Sequence, residues 1–387
     1  MGRVGRTPVT LALSGDVMTG RGVDQILPHP GDPALREGYI RDARDYVALA
    51  EAAHGTVPGW PVDFTWPWGA ALDVLEAVAP DARVVNLETS VTTSDDFAPG
   101  KAVNYRMHPD NVPCLTAARP DVCVLANNHV LDFGRRGLEE TLDVLRAAGL
   151  THAGAGRDAA EARRPAAVAT RGGGRVLVLS CGSATSGIPA RWAAGADRPG
   201  VDFLPDLSPR TAEALVRRLR AVRRDGDLTV VSIHWGSNWG YAVPPAQTAF
   251  ARRLVDGGVD VVHGHSSHHP RPIEVYRGRL VLYGCGDLVD DYEGIRGYER
   301  YRDDLRPLYF PSLDARTGEL TGLRVAPLLA RRMTLRRAPA ADAGWLCEAL
   351  TRAGRPFATR LEPDPGAAGF LRLRWAEADR GRGGAAY

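Results

Sequence analysis

The sequence predicts a layered α/β sandwich, with two sheets face to face and helices on the outside. Three observations predict it. Strand-like and helix-like segments alternate through the first two-thirds of the 387 residues, hairpin-like strands dominate the last third, and each polar cluster lies just past an apolar run. In such folds ligands sit beyond the carboxyl ends of strands, so those clusters point to one shared site.

Taken in order, Val9–Ser14 reads as a strand that delivers Asp16 to its edge through Gly15. A polar stretch over 24–68 follows, with one helical patch at Asp45–Ala53. Trp60, Trp66 and Trp68 lie close together there, and packing under a long loop explains them better than a cleft does. A helix over 68–78 leads to the strand Arg83–Leu87, which ends at Glu88. A helix near 110–118 leads to the strand Val122–Ala126, closed by Asn127, Asn128 and His129. Leu138, Leu142, Leu145 and Ala148 recur at helical spacing, and Gly149 ends that helix. Short strands are predicted around 165–170 and 175–180. The Gly- and Pro-marked stretch 182–208 reads as a lid or insertion. A helix over 209–223 precedes the strand Leu228–Ile233, ending at His234 and Trp235, and a helix over 246–256 feeds the strand Val259–His263. Ile273–Tyr276 and Leu280–Tyr283 form a hairpin pattern. Strands at 307–312, 321–328, 331–336 and 369–375 and a helix at 342–353 complete the chain. The reading gives one domain over 1–295, a β-rich completion of it over 296–379, and a disordered tail over 380–387.

Composition narrows the function. The apolar fraction of 44% and charged fraction of 24% are those of a globular protein. A net charge of +2 gives no bulk electrostatic case for nucleic acid or an anionic membrane. The five cysteines have no paired spacing, which fits a reducing compartment. The apolar run Val9–Leu13 is too short for a membrane span or a signal segment, so the expected location is cytoplasmic.

Collected, the strand-end residues are Asp16, Glu88, Asn127, Asn128, His129, His234, His265 and His268. Carboxylates, amide oxygens and imidazoles form a hard-to-borderline donor set that suits one or two divalent ions of Zn, Mn or Fe. Singly, each has a structural explanation: a helix cap for Asp16 or Glu88, a turn for Asn127 and Asn128, a core histidine for His234. Five clusters, each just past an apolar run, favour a metal site.

The order of motifs is also recognisable. Gly15-Asp16, Asn86-Leu87-Glu88, Asn127-Asn128-His129-Val130-Leu131-Asp132-Phe133-Gly134, His234-Trp235-Gly236 and Gly264-His265-Ser266-Ser267-His268 resemble the CapA-type capsule, or poly-gamma-glutamate, synthesis proteins. These are a branch of the calcineurin-like metallophosphatase superfamily, and the resemblance runs from about residue 9 to 292. It implies a four-layer α/β/β/α sandwich of the metallo-dependent phosphatase type. It implies metal ligation by Asp16, Glu88, Asn128, His234, His265 and His268, with Glu88 bridging. His129 matches the general acid, Asp132 its orienting partner, and His269 is expected to assist. Arg21, Asn127 and Trp235 are the expected substrate contacts. The chain departs from the ordinary phosphatases in four places. Val17-Met18 follow Asp16 where those enzymes have a ligating histidine. Glu88 replaces a bridging Asp, Val130 replaces an acid-supporting carboxylate, and the last motif has gained a residue.

The leading function is therefore a metal-dependent hydrolase or transferase on a phosphoester or γ-glutamyl peptide. The alternatives are a metal-assisted peptide Cα epimerase and a non-catalytic scaffold that binds an anionic polymer. The expected partner is a small-molecule, polymer or peptide substrate.

Overall fold

The computed structural model describes residues 8–376. The strands that build the site are, in chain order, β1 (Val9–Val17), β2 (Ala82–Leu87), β3 (Val122–Val124), β4 (Arg175–Ser183), β5 (Leu228–His234), β6 (Val261–His265), β7 (Arg279–Leu282), β8 (Asp287–Val289), β9 (Leu305–Leu313) and β10 (Leu320–Ala330). In the larger sheet β1, β2 and β3 run parallel, while β9 pairs antiparallel with the other edge of β1 and β10 with β9. In the second sheet β4, β5, β6 and β7 are parallel neighbours.

Strand alternation divides the apolar residues into three packed zones, and that division makes the layers. Leu11, Leu13, Val84, Val122 and Val124 on the first sheet meet Val176, Val178, Val230, Val261, Leu280 and Leu282 on the second. The residues between them point outward. Ala12, Val85 and Cys123 pack under helices α1 (Ala70–Val78) and α2 (Gly134–Ala147), through Val74, Leu138, Leu142 and Leu145. Leu177, Leu179, Val231, Ile233, Val262 and Val281 pack under α3 (Pro209–Val222) and α4 (Pro245–Asp256), through Leu215, Leu219, Phe250 and Leu254. The result is the four-layer α/β/β/α sandwich. Each fully buried Val or Leu in these zones contributes about 1.5–3 kcal/mol.

The stretch 182–208 is not a free lid. Ile188 and Trp192 are buried in the outer core, Gly200–Val201 pairs with Ala155–Gly156, and Phe203–Leu204 extends the second sheet beside β4. The tryptophans 66 and 68 pack away from the strand ends. Trp68 Nε1 donates to the Cys114 carbonyl at 2.7 Å and Trp66 Nε1 to that of Arg332 at 3.2 Å. The strands Thr359–Pro363 and β8 are additions to the sequence reading. The expected tail over 380–387 lies outside the described residues. Among the described residues no helix is long and apolar enough to cross a membrane.

Candidate metal centre

The site forms where the middle apolar layer gives way to polar residues. Along paired β5 and β6 the inward-facing partners run Val230 with Val261, Ser232 with His263, then His234 with His265. On the first sheet Asp16 lies beside Asn86 of β2 and Asp287 of β8. Gly15 makes that approach feasible. A Cβ there would meet the Gly286 carbonyl oxygen at 1.6 Å, and the Asp16 N–H donates to that same oxygen at 3.1 Å. After β6 the chain reverses through Ser266, whose φ of 103° is a conformation side chains seldom adopt. The reversal brings His268 Nδ1 to 3.0 Å from Asp287 Oδ1.

Two groups that could hold a cation share Asp16. Asp16, His234 and His265 form one, and Asp16, His268 and Asp287 the other, with ligand atoms within 4.8 Å of one another. His234 Nδ1 lies 2.8 Å from His265 Nδ1, and His234 Nε2 lies 2.8 Å from Asn128 Oδ1. Glu88 Oε1 is 3.7 Å from both His234 Nε2 and His129 Nε2. Thus all six expected ligands converge. Asp287 joins them, although it is not among the ligands expected from the sequence.

The electrostatics are those of titratable groups buried against one another. Burial, then Asp287, raises the Asp16 carboxyl to about 7. Burial, then Asp16 and Asp287, pushes Glu88 well above the carboxylate range. Burial also drives His234 and His265 well below the usual imidazole value, and neighbouring imidazoles add to the effect. In contrast, Asp287 and His268 form a charged pair: burial opposes it, but each stabilises the other's ion. Carboxylates that resist ionising beside imidazoles that resist protonation are the donors a divalent cation satisfies. The residues fit the group.

His129 is placed to handle a proton. Its Nδ1 lies 2.6 Å from Asp132 Oδ2, which leaves Nε2 facing Glu88. Burial lowers its pKa to about 4, so at neutral pH the ring is uncharged. Lys101, absent from the sequence reading, lies 2.8 Å from His129 Nδ1 and also contacts Asp132 and the Asn128 carbonyl. It comes from an irregular segment with no periodicity to flag it. His129 and His268 retain 7% and 8% exposure while Asp16 and His265 have none, so the cluster meets solvent on their side.

Four expected roles are corrected. Asn127 contacts no open space: its amide donates to Asn86 Oδ1 and the Leu87 carbonyl, and its Oδ1 accepts from the N–H groups of His129 and Val130. It holds the turn. Trp235 is fully buried, parallel to the Tyr283 ring and against Phe250. Arg21 is held by Asp291 and Glu37 and by the Tyr46 hydroxyl, between the rings of Tyr46 and Tyr105. His269 has both ring nitrogens engaged: Nε2 accepts from Gly240 N–H and Nδ1 donates to the Pro270 carbonyl, each at 3.0 Å. None of these four is free to meet a substrate.

The family described as "Bacterial capsule synthesis protein PGA_cap" matches residues 10–292. A probable polyglutamine synthesis accessory protein of Mycobacterium tuberculosis (strain H37Rv) is 54% identical over 358 residues, 92% of this chain and 94% of the relative. The PGA biosynthesis protein CapA of Bacillus subtilis (strain 168) is 27% identical over 226 residues, 58% of this chain and 56% of that protein. Among solved structures, a 5'-nucleotidase precursor from Thermus thermophilus overlays with a TM-score of 0.46 at 18% identity, covering 90% of this chain and 59% of the other.

Proposed function

The chain belongs to the PGA_cap family of bacterial capsule synthesis proteins, and on that premise we propose that it is a divalent-metal-dependent hydrolase or transferase. Its substrate carries a phosphoester or a γ-glutamyl peptide bond. The observation that supports this reading is the buried convergence of Asp16, Glu88, Asp287, His234, His265 and His268 at the strand ends. A scaffold for polymer has no need of buried carboxylates facing imidazoles, an arrangement that costs folding energy. Relatives named for polyglutamine synthesis and PGA biosynthesis favour the glutamyl bond over the phosphoester.

Asp16, His234 and His265 would hold one cation and Asp16, His268 and Asp287 a second, with Glu88 and Asn128 alongside. When bound, such ions supply Lewis-acid activation of a carbonyl or phosphoryl oxygen and of water. The remaining work falls to the chain. Asp132 fixes the Nδ1–H tautomer of His129, so Nε2 takes up a proton on the Glu88 side and returns it to the leaving group. Burial of the cluster excludes bulk water from this exchange.

Elemental analysis of the purified protein, then assays on γ-glutamyl anilides and phosphoesters with added Mn²⁺ or Zn²⁺, test the reading. Asp16→Asn and His234→Ala are expected to weaken metal binding on the order of 100-fold and to remove turnover. His129→Ala is expected to lower kcat far more than metal affinity. Metal-loaded protein inert on both substrate classes overturns the proposal.

A further inference from the structure

One layer beneath the expected ligands lies a buried chain of hydrogen bonds that the proposed mechanism does not use. His263 Nε2 is 2.8 Å from the Ser14 carbonyl oxygen, which can only accept. A neutral His263 therefore carries its proton on Nε2 and a lone pair on Nδ1. Ser232 Oγ lies 3.1 Å from that Nδ1 and must donate its single proton there. The hydroxyl is then left as an acceptor for His265 Nε2, at 2.8 Å. His265 must accordingly be protonated on Nε2, and its Nδ1 lone pair faces His234 Nδ1 at 2.8 Å and Asp16 Oδ1 at 3.9 Å. Running the chain in reverse requires a charged His263. That ring is fully buried, its nitrogens face the Ser14 carbonyl and the Ser232 hydroxyl, and among the described residues no carboxylate pairs with it.

We infer that Ser232 and His263 are positioning residues that lock His265 in the tautomer presenting Nδ1 to the Asp16–His234 cluster. The relay rests on the metal-centre reading for its purpose, though not for its geometry. It also ties the two sheets together, because Ser14 belongs to β1 and His263 to β6. Partners behind a ligating histidine fix its ring and tautomer, and their loss typically lowers metal affinity about 10–100-fold.

Long-range ¹H–¹⁵N spectra of the ¹⁵N-histidine-labelled, metal-free full chain read the tautomers directly. His263 and His265 are both expected as the Nε2–H form. Ser232→Ala is expected to leave His265 a tautomer mixture and to weaken Zn²⁺ binding, measured by calorimetry, about 10-fold or more. Ser232→Thr, which keeps the hydroxyl, should restore both. His265 protonated on Nδ1 in the unaltered protein overturns the inference, and so does a Ser232→Ala protein with unchanged tautomer and affinity. The unaltered chain's tautomers decide the relay even where a variant fails to fold. Failure of the unaltered protein to bind Zn²⁺ or Mn²⁺ would instead sink the metal-centre reading, with the tautomer spectra still deciding the relay.

Discussion

His269 follows the expected ligand His268 directly, yet its ring is engaged elsewhere, parallel to Trp239 and Tyr301 with both nitrogens hydrogen-bonded to backbone. Burial lowers its pKa from 6.5 to about 4. The folded state thus favours the neutral ring, and the sign follows. The stability from this group is complete above pH 6.5 and is lost as pH falls through about 4. The full effect is on the order of 3 kcal/mol. His269→Phe keeps a ring for stacking and removes the titration. The unfolding free energy of the native protein minus that of this variant, from urea titrations, is expected to shrink as pH drops from 7 toward 4. A difference that stays flat with pH would contradict a buried neutral imidazole. The sequence reading also expects Arg21 to contact substrate, whereas its side chain is held by Asp291 and Glu37. Its partner Asp291 lies 270 residues away, so its neutralisation was invisible in the local sequence.

At the scale of elements, strand–helix alternation and most strand ends were legible, because a period of two and apolar runs are local signals. The convergence of Asp16, Glu88, Asn128, His234, His265 and His268 was legible for the same reason: each sits at or just past a run that ends where the sheet ends. Asp287 and Lys101 were not. The first reaches the site through the register of β8 with Asp16 on β1, and the second through an irregular loop. Asn127 shows how such a loop is set. Its side chain makes hydrogen bonds to β2 on one side and to the backbone of His129 and Val130 on the other. Asn127→Ala leaves buried N–H and C=O groups without partners, at about 1–3 kcal/mol each. The expected outcome is a loss of about 3 kcal/mol in urea unfolding, with weaker Zn²⁺ binding because Asn128 and His129 lose their anchor. Unchanged metal affinity in a destabilised variant would show that the turn does not set the site.

At the scale of the whole molecule, the sequence reading takes 296–379 as a β-rich completion of the domain over 1–295, and strand pairing shows how that stretch is attached. β9 pairs along β1, with Leu13 opposite Tyr309 and Val9 opposite Leu313, so the last third of the chain covers an edge of the strand that carries Asp16. Tyr309, Leu313, Leu323, Val325, Leu361 and Leu371 also enter the apolar zone between the sheets. A chain ending at 295 is therefore expected to lack a cooperative urea transition, and a cooperative one would show that residues 1–295 fold without the last third. One side chain makes the dependence electrostatic as well. Arg306, 1% exposed at the start of β9, lies 3.5 Å from Asp287 Oδ2 and 2.7 Å from Asp290 Oδ2. It helps hold the Asp287 carboxyl below its usual range, after His268 and against burial. Arg306→Met keeps the bulk and removes the charge, leaving two buried carboxylates to share His268. Breaking a buried pair this way costs about 3–5 kcal/mol. The loss should be smaller in saturating Zn²⁺, because a cation at Asp16, His268 and Asp287 replaces the missing positive charge. Equal destabilisation with and without Zn²⁺ would place Arg306 outside the electrostatics of the centre and leave it a purely structural counter-ion.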